Sequence, residues 1–230
     1  MTTCSSSSQG PRDARTRCVP QSARVACIGR AALLCDSAGV FERIFDEDIA
    51  LCIWNRPPDE ILSAYLQRTA STGNWERMAR VDACGPHFEE LLCGFEDCVG
   101  KIRLVTELAG LVDLFATLTD AQSVGIRMTA TRQRECPRFH VDRVGLRLLC
   151  TWLGEGTEWL AHEDVIREQL GHPSGGCCEV KRPGAAIQHM EPFAVGVFKG
   201  EAWPGNAGRG AVHRSPAPST WRVFVSLDAL

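Results

Sequence analysis

Near Gln122 the hydrophobic pattern of this chain changes period. Beyond that point the apolar runs are short: Ser123 to Thr131, Val144 to Trp152, Thr157 to Leu160, Ala194 to Phe198 and Trp221 to Asp228. Each reads as a strand. Turns rich in Gly and Pro separate them, among them Gly154-Glu-Gly156, Pro173-Ser-Gly-Gly176 and Pro204-Gly-Asn-Ala-Gly208. Many short strands with such turns point to a sandwich or a barrel. Before Gln122 the dominant period is helical. Leu104, Leu108, Leu111, Val112, Phe115 and Leu118 form an apolar stripe on a helix from about Val99 to Leu118. Asp59 is placed to cap a second helix carrying Ile61, Leu62, Tyr65 and Leu66, and His87 to Cys98 reads as a third. Ile49 to Trp54 reads as a strand, and His162 to Leu170 as a helical insertion. The expected fold class is α+β. Residues 122–230 form a β-barrel, and the mainly helical residues 25–121 pack on one face of it.

At 230 residues the chain is long enough for one well-buried core, so residues 25–230 are expected to form a single domain. Residues 1–24, rich in Ser, Arg and Pro, read as a disordered tail without an apolar signal segment. With 25 basic against 28 acidic residues and no basic stripe, nucleic acid is not an expected partner. No apolar run is long enough to span a membrane. The 12 cysteines are scattered, include no Cys-x-x-Cys pair, and put adjacent thiols at Cys177-Cys178. That usage fits free thiols in a reducing cytoplasm better than a disulfide scaffold.

A His-x-Asp/Glu pair with a distant histidine is the facial ligand set of non-haem iron enzymes. The pair alone carries little information. Six histidines and 28 acids in 230 residues predict fewer than one chance match, and four occur: His87/Glu89, His140/Asp142, His162/Asp164 and His189/Glu191. Backbone conformation discriminates among them. Residues i and i+2 share a face on a strand and diverge on a helix. His87/Glu89 and His162/Asp164 lie in stretches that read as helix. His140/Asp142 enters an apolar strand, and the 70 residues between Asp142 and His213 leave room for the intervening strands of a barrel. His189/Glu191 also reads as extended and stays a competitor. The expected metal ligands are His140, Asp142 and His213. Cys136, four residues before His140, is a possible fourth that would close a tetrahedral zinc site.

From Phe139 to Asp228 the order is His-x-Asp, apolar strand, Gly-x-Gly-Thr-x-Trp, late histidine and downstream arginine. This order resembles the iron(II)- and 2-oxoglutarate-dependent oxygenases, and Leu148 to Trp159 is similar to their strand-turn-strand. The resemblance implies a double-stranded β-helix, a jelly-roll or cupin-like barrel. It also implies Fe(II) at His140, Asp142 and His213, and Arg222 pairing with the far carboxylate of 2-oxoglutarate. Arg147 is a second candidate partner for that anion. Two features depart from the family: Phe224 stands where a serine is common after the arginine, and the single tyrosine, Tyr65, lies in the helical half. Across the whole chain, Trp54-Asn-Arg56, Cys136-Pro-Arg-Phe-His-Val-Asp142, Gly156-Thr-Glu-Trp159, Phe198-Lys-Gly-Glu201 and His213-Arg-Ser-Pro216 resemble an uncharacterised bacterial family, a domain of unknown function. Its members tend to be encoded beside zinc-responsive GTPase metallochaperones.

Val223, Val225 and Leu227 form one face of the last strand and are expected to pack on the helices. Arg222, Phe224 and Ser226 form the other and are expected to line the barrel. Lys199 and Glu201 read as an exposed ion pair, and Trp152, Trp159 and Trp203 as core or pocket wall. Three function classes follow: an iron-dependent oxygenase of unknown substrate, a non-catalytic zinc-binding protein using the same pocket, and a barrel without metal that serves as an interaction module.

Overall fold

In a computed structural model, which describes residues 25–171 and 180–230, the chain forms two sheets and two long helices. The expectations for residues 1–24 and for Cys177-Cys178 lie outside the described residues. In chain order the elements are β1 (Val25–Ile28), β2 (Ala32–Cys35), β3 (Leu51–Trp54), α1 (Glu60–Ser71), β4 (Trp75–Asp82), α2 (Val99–Thr119), β5 (Ser123–Thr131), β6 (Leu146–Leu153), β7 (Glu158–Trp159), β8 (Gln188–His189), β9 (Val195–Lys199), β10 (His213–Arg214) and β11 (Arg222–Ala229). The large sheet runs β1-β2-β3-β9-β6-β11-β5-β4, and the small one runs β10-β7-β8. Every pairing is antiparallel except β2 with β3. This is a mixed α+β molecule. Among the described residues no continuous ladder joins the two sheets into a closed barrel. The small sheet is built of strands two residues long and leaves the gap open.

The helices form where capping and periodicity agree. Asp59 accepts a hydrogen bond from the Leu62 amide at 3.0 Å, as a side-chain cap of α1 should, and Leu62, Tyr65 and Leu66 turn inward. On α2 the stripe Leu104, Leu108, Leu111, Val112 and Phe115 is buried, and the helix stops at Asp120 in the left-handed conformation. The expected helix at His87–Cys98 is instead a set of turns. Gly94 adopts φ 79°, and the four-residue helical repeat is reached by one bond, from the Leu92 amide to the Phe88 carbonyl. The apolar residues there are buried all the same, which is why their spacing imitates a helix. His162 to Leu170 holds two short 3-10 turns rather than a helix. The part before Gln122 also contributes strands that were not expected. Strand β4 pairs along its whole length with β5, but its charged edge-strand sequence hides the period of two.

Both helices pack on one face of the large sheet. Val223, Val225 and Leu227 of β11 join Leu146, Leu148, Cys150 and Trp152 of β6 and the inner residues of α1 and α2 in the main core. The opposite faces of β6 and β11 present Arg147, Leu149, Arg222, Phe224 and Ser226 to a cleft of about 70 Å³, whose other wall includes His213 and Arg214 of β10. The partition expected for β11 is the one observed. A strand buried on both faces still alternates, and here one of its faces is polar. No helix among the described residues is long and apolar enough to cross a membrane.

Candidate metal centre

The two histidines are brought together by backbone. His140 and His213 form an antiparallel bridge in which each amide donates to the other's carbonyl at 3.0 Å, and their ring centroids lie 4.6 Å apart. Extended chain then places Asp142, two residues on, on the same side as His140. Asp142 Oδ1 lies 3.8 Å from His140 Nε2, and Oδ2 lies 3.3 Å from His213 Nε2. One donor atom from each of the three residues falls within 4.8 Å of the other two. Asp142 and His213 are buried, whereas the His140 side chain is 36% exposed, so the cluster opens to solvent on the His140 side.

Proton placement shows what this cluster lacks. Nδ1 of His140 lies 3.0 Å from the Arg138 carbonyl, and Nδ1 of His213 lies 3.1 Å from the Ala211 carbonyl. A carbonyl oxygen accepts and cannot donate, so both rings carry their proton on Nδ1. In the neutral rings each Nε2 then offers a lone pair toward the same carboxylate. Placing the His213 proton on Nε2 would satisfy Asp142 but set a lone pair against the Ala211 carbonyl. Asp142 Oδ2 accordingly has no hydrogen-bond donor although it is buried. Two imidazole lone pairs and a carboxylate oxygen facing one another form a set that a cation completes. The donor set of two nitrogens and one oxygen suits a divalent transition metal with open positions.

The electrostatics agree with ligand states. Burial, aided by repulsion from His213, holds the His140 imidazolium below its ordinary pKa, so the ring is neutral at pH 7. Burial works against the Asp142 carboxylate, but a hydrogen bond and positive charge from His213 whenever that ring is protonated, together with the Arg147 guanidinium, outweigh it and hold Asp142 below the usual range. Arg147 donates from Nη1 to Asp142 Oδ1 at 2.6 Å, and from Nε and Nη2 to the two oxygens of Asp228 at 2.8 and 2.7 Å. This corrects the expectation that Arg147 is an open anion partner. Its fork is spent on two carboxylates, and it orients the Asp142 carboxylate.

Arg222 differs in having no acid partner among the described residues. It is 3% exposed, and its guanidinium donates to the Glu155 carbonyl at 2.9 Å and to the hydroxyls of Thr151 and Thr157 at 3.1 and 3.3 Å. Its carbon lies 4.1 Å from the Phe224 ring centroid. Burial pulls its pKa down to about 10, so it remains a cation at neutral pH. A buried cation whose hydrogen-bond partners among the described residues are all neutral, lining the same cleft as His140 and His213, is matched to an incoming anion.

Other expected residues fall elsewhere. Cys136 lines the cleft but is exposed, and its sulfur is not among the converging donor atoms, so the closed four-ligand set is not assembled. His87 and Glu89 are 86% and 82% exposed, and His162 faces Arg167. His189 and Glu191 are exposed and join no cluster of metal donors among the described residues. Lys199 is buried, bonded to the Asp46 carbonyl at 2.9 Å, while Glu201 accepts from the Gly208 amide; they are not an ion pair. Trp152 and Trp159 are core, each 1% exposed, and Trp203 packs partly buried against the core. Sequence reasoning did not identify Asp228 as the anchor of Arg147. The register of β6 against β11 aligns the two directly, a fact visible once strands are paired.

Among solved structures, the chain is similar to a rice dioxygenase for auxin oxidation, with 14% identity, a TM-score of 0.47 and coverage of 84% of this chain and 76% of that one. It is also similar to a full-length Neurospora crassa protein in complex with alpha-KG, with 10% identity, a TM-score of 0.43 and coverage of 84% and 78%. A Pseudomonas putida prolyl-4-hydroxylase matches with 10% identity, a TM-score of 0.41 and coverage of 84% and 97%. No curated protein matches the sequence. The model of one family, described as protein of unknown function (DUF1826), matches residues 35–228, and the chain belongs to that family.

Proposed function

We propose that this protein is an iron(II)- and 2-oxoglutarate-dependent oxygenase, with residues 25–230 forming one domain whose two sheets are the faces of a double-stranded β-helix. The observation that carries this reading is the pairing of two features around one cleft: a His-Asp-His cluster whose donor atoms converge, with a donor-free oxygen of Asp142 facing His213 Nε2, and a buried arginine that has no acid partner among the described residues. His140, Asp142 and His213 would hold the metal, leaving coordination positions open. When bound, iron and the cosubstrate would supply the oxidising chemistry. The chain supplies the frame. The carbonyls of Arg138 and Ala211 fix the imidazole tautomers. Arg147 fixes the carboxylate. Arg222, held by Thr151 and Thr157, would pair with the far carboxylate of the cosubstrate. Leu149 and Phe224 line the cleft as apolar wall and limit water.

The test is anaerobic titration of the purified chain with Fe(II) and then 2-oxoglutarate. The expected result is one iron per chain and a visible charge-transfer band that appears with 2-oxoglutarate. Asp142→Ala should bind no iron. Arg222→Ala should bind iron normally and 2-oxoglutarate at least about tenfold more weakly, the loss of one charge-assisted pair. Stoichiometric zinc that resists dialysis, with no 2-oxoglutarate binding, would overturn the reading in favour of a non-catalytic zinc protein.

A further inference from the structure

The chain carries a net charge of −3, yet four arginines fall between Arg132 and Arg143, on the segment that delivers His140 and Asp142. Arg134 is committed to Glu158. Arg132, Arg138 and Arg143 are exposed, and none has a carboxylate partner among the described residues. Arg132 instead lies over the Trp221 ring at 5.6 Å. The acids around the mouth are already taken: Glu135 by Arg127, Glu158 by Arg134 and Arg214, Asp142 and Asp228 by Arg147. Exposed cations without a carboxylate partner therefore lie in the chain on both sides of His140, the exposed member of the cluster, at Arg138 and Arg143.

Size decides what kind of anion fits. The cleft holds about 70 Å³, whereas pockets that engulf a small-molecule ligand run to roughly 300–1,000 Å³. A molecule of cosubstrate size uses that space, and whatever else is recognised must lie across the open mouth. We propose that the mouth beside His140 docks an acidic polypeptide segment, with Arg132, Arg138 and Arg143 as its charge contacts. That this segment carries the substrate residue rests on the oxygenase reading; the docking itself does not. Nucleic acid, also anionic, is disfavoured by the chain's net negative charge.

The experiment measures fluorescence anisotropy of the full chain, as purified, with a fluorescein-labelled 15-residue Asp/Glu-rich peptide. A neutral Ser/Ala peptide and single-stranded DNA of equal charge are run beside it. The acidic peptide is expected to bind, the neutral one not, and the DNA more weakly. Binding should weaken about tenfold in R138A/R143A, in line with removing two rim charges. The variant R77A/R80A, which removes two exposed arginines from β4, should leave it unchanged. Equal loss in both double variants, tighter binding of DNA, or no peptide binding in 50 mM salt would overturn the proposal. Cobalt(II) uptake, followed in the same samples, separates the two claims. Peptide binding without metal uptake sinks the oxygenase reading alone, and metal uptake without peptide binding sinks the docking alone.

Discussion

At the scale of single residues, the site is organised by who holds whom. Arg147 touches neither imidazole, yet it bonds the carboxylate between them and is itself locked by Asp228. Partners of metal ligands commonly contribute about 10–100-fold to metal affinity. If the proposed iron site is correct, Arg147→Ala should weaken metal binding by that factor while leaving the fold intact, as isothermal titration of the folded variant would show; unchanged affinity would remove Arg147 from the site. Arg147→Lys should recover little, because an ammonium cannot span two carboxylates as a planar fork does. Residue identity made His140, Asp142, His213 and Arg222 recognisable as candidates. It could not separate Arg147 from Arg222, which are both arginines on strands. Arg147 meets acids and Arg222 meets hydroxyls and a carbonyl, and that difference exists only after β6 and β11 are paired.

Among the elements, α1 and α2 approach each other at a point set by a missing side chain. A Cβ on Gly100 would collide with the Tyr65 side chain, so α2 lies on α1 only because residue 100 has none. Alanine would gain at most about 1 kcal/mol of helix propensity. Overpacking against a fully buried ring costs about 1–3 kcal/mol. Gly100→Ala is therefore expected to be a net destabiliser, read as a lower urea midpoint; a higher midpoint would show that the helices can separate freely. The same scale explains which elements could be foreseen. Helix α2 and strands β5 and β11 carry long, clean periods. The segment 87–98 buries Phe88, Leu91, Leu92 and Phe95 at helical spacing without being a helix, because burial sets that spacing and Gly94 prevents the helix from propagating. Strand β4, with Glu76, Arg77, Arg80 and Asp82 at a sheet edge, has no period to read.

Over the whole molecule, one buried ion pair ties the helical layer to the sheet. Arg56 bonds the Glu107 carboxylate on α2 through both terminal nitrogens and the Phe193 carbonyl through Nε at 2.7 Å, and Trp152 of β6 donates to Glu107 at 2.9 Å. The two side chains are 16% and 15% exposed. Glu107→Ala leaves the terminal nitrogens of the arginine and the indole without their carboxylate and is expected to cost about 3–5 kcal/mol. Thermal unfolding checks this, and a change below about 1 kcal/mol would mean that water replaces the carboxylate. Acid should also destabilise the metal-free molecule. Asp142 titrates below its ordinary value of 3.8, so its contribution is full above that value and is lost as pH falls through the folded value. His140 titrates below its ordinary 6.5, so under pH 6.5 the unfolded chain takes up a proton that the folded chain refuses. Both act in one direction, but of the two only His140 acts between pH 7.5 and pH 5; the denaturation midpoint should fall across that range, and a flat profile would contradict it. The amino-acid order was sufficient for the α+β class, the two long helices, the two-faced last strand and the short list of ligands, because each is a local pattern of period or spacing. The convergence of His140, Asp142 and His213 on one point, the orphaned carboxylate oxygen and the isolation of Arg222 arose from contacts between residues up to 73 positions apart, and no local pattern encodes which distant strand will lie alongside.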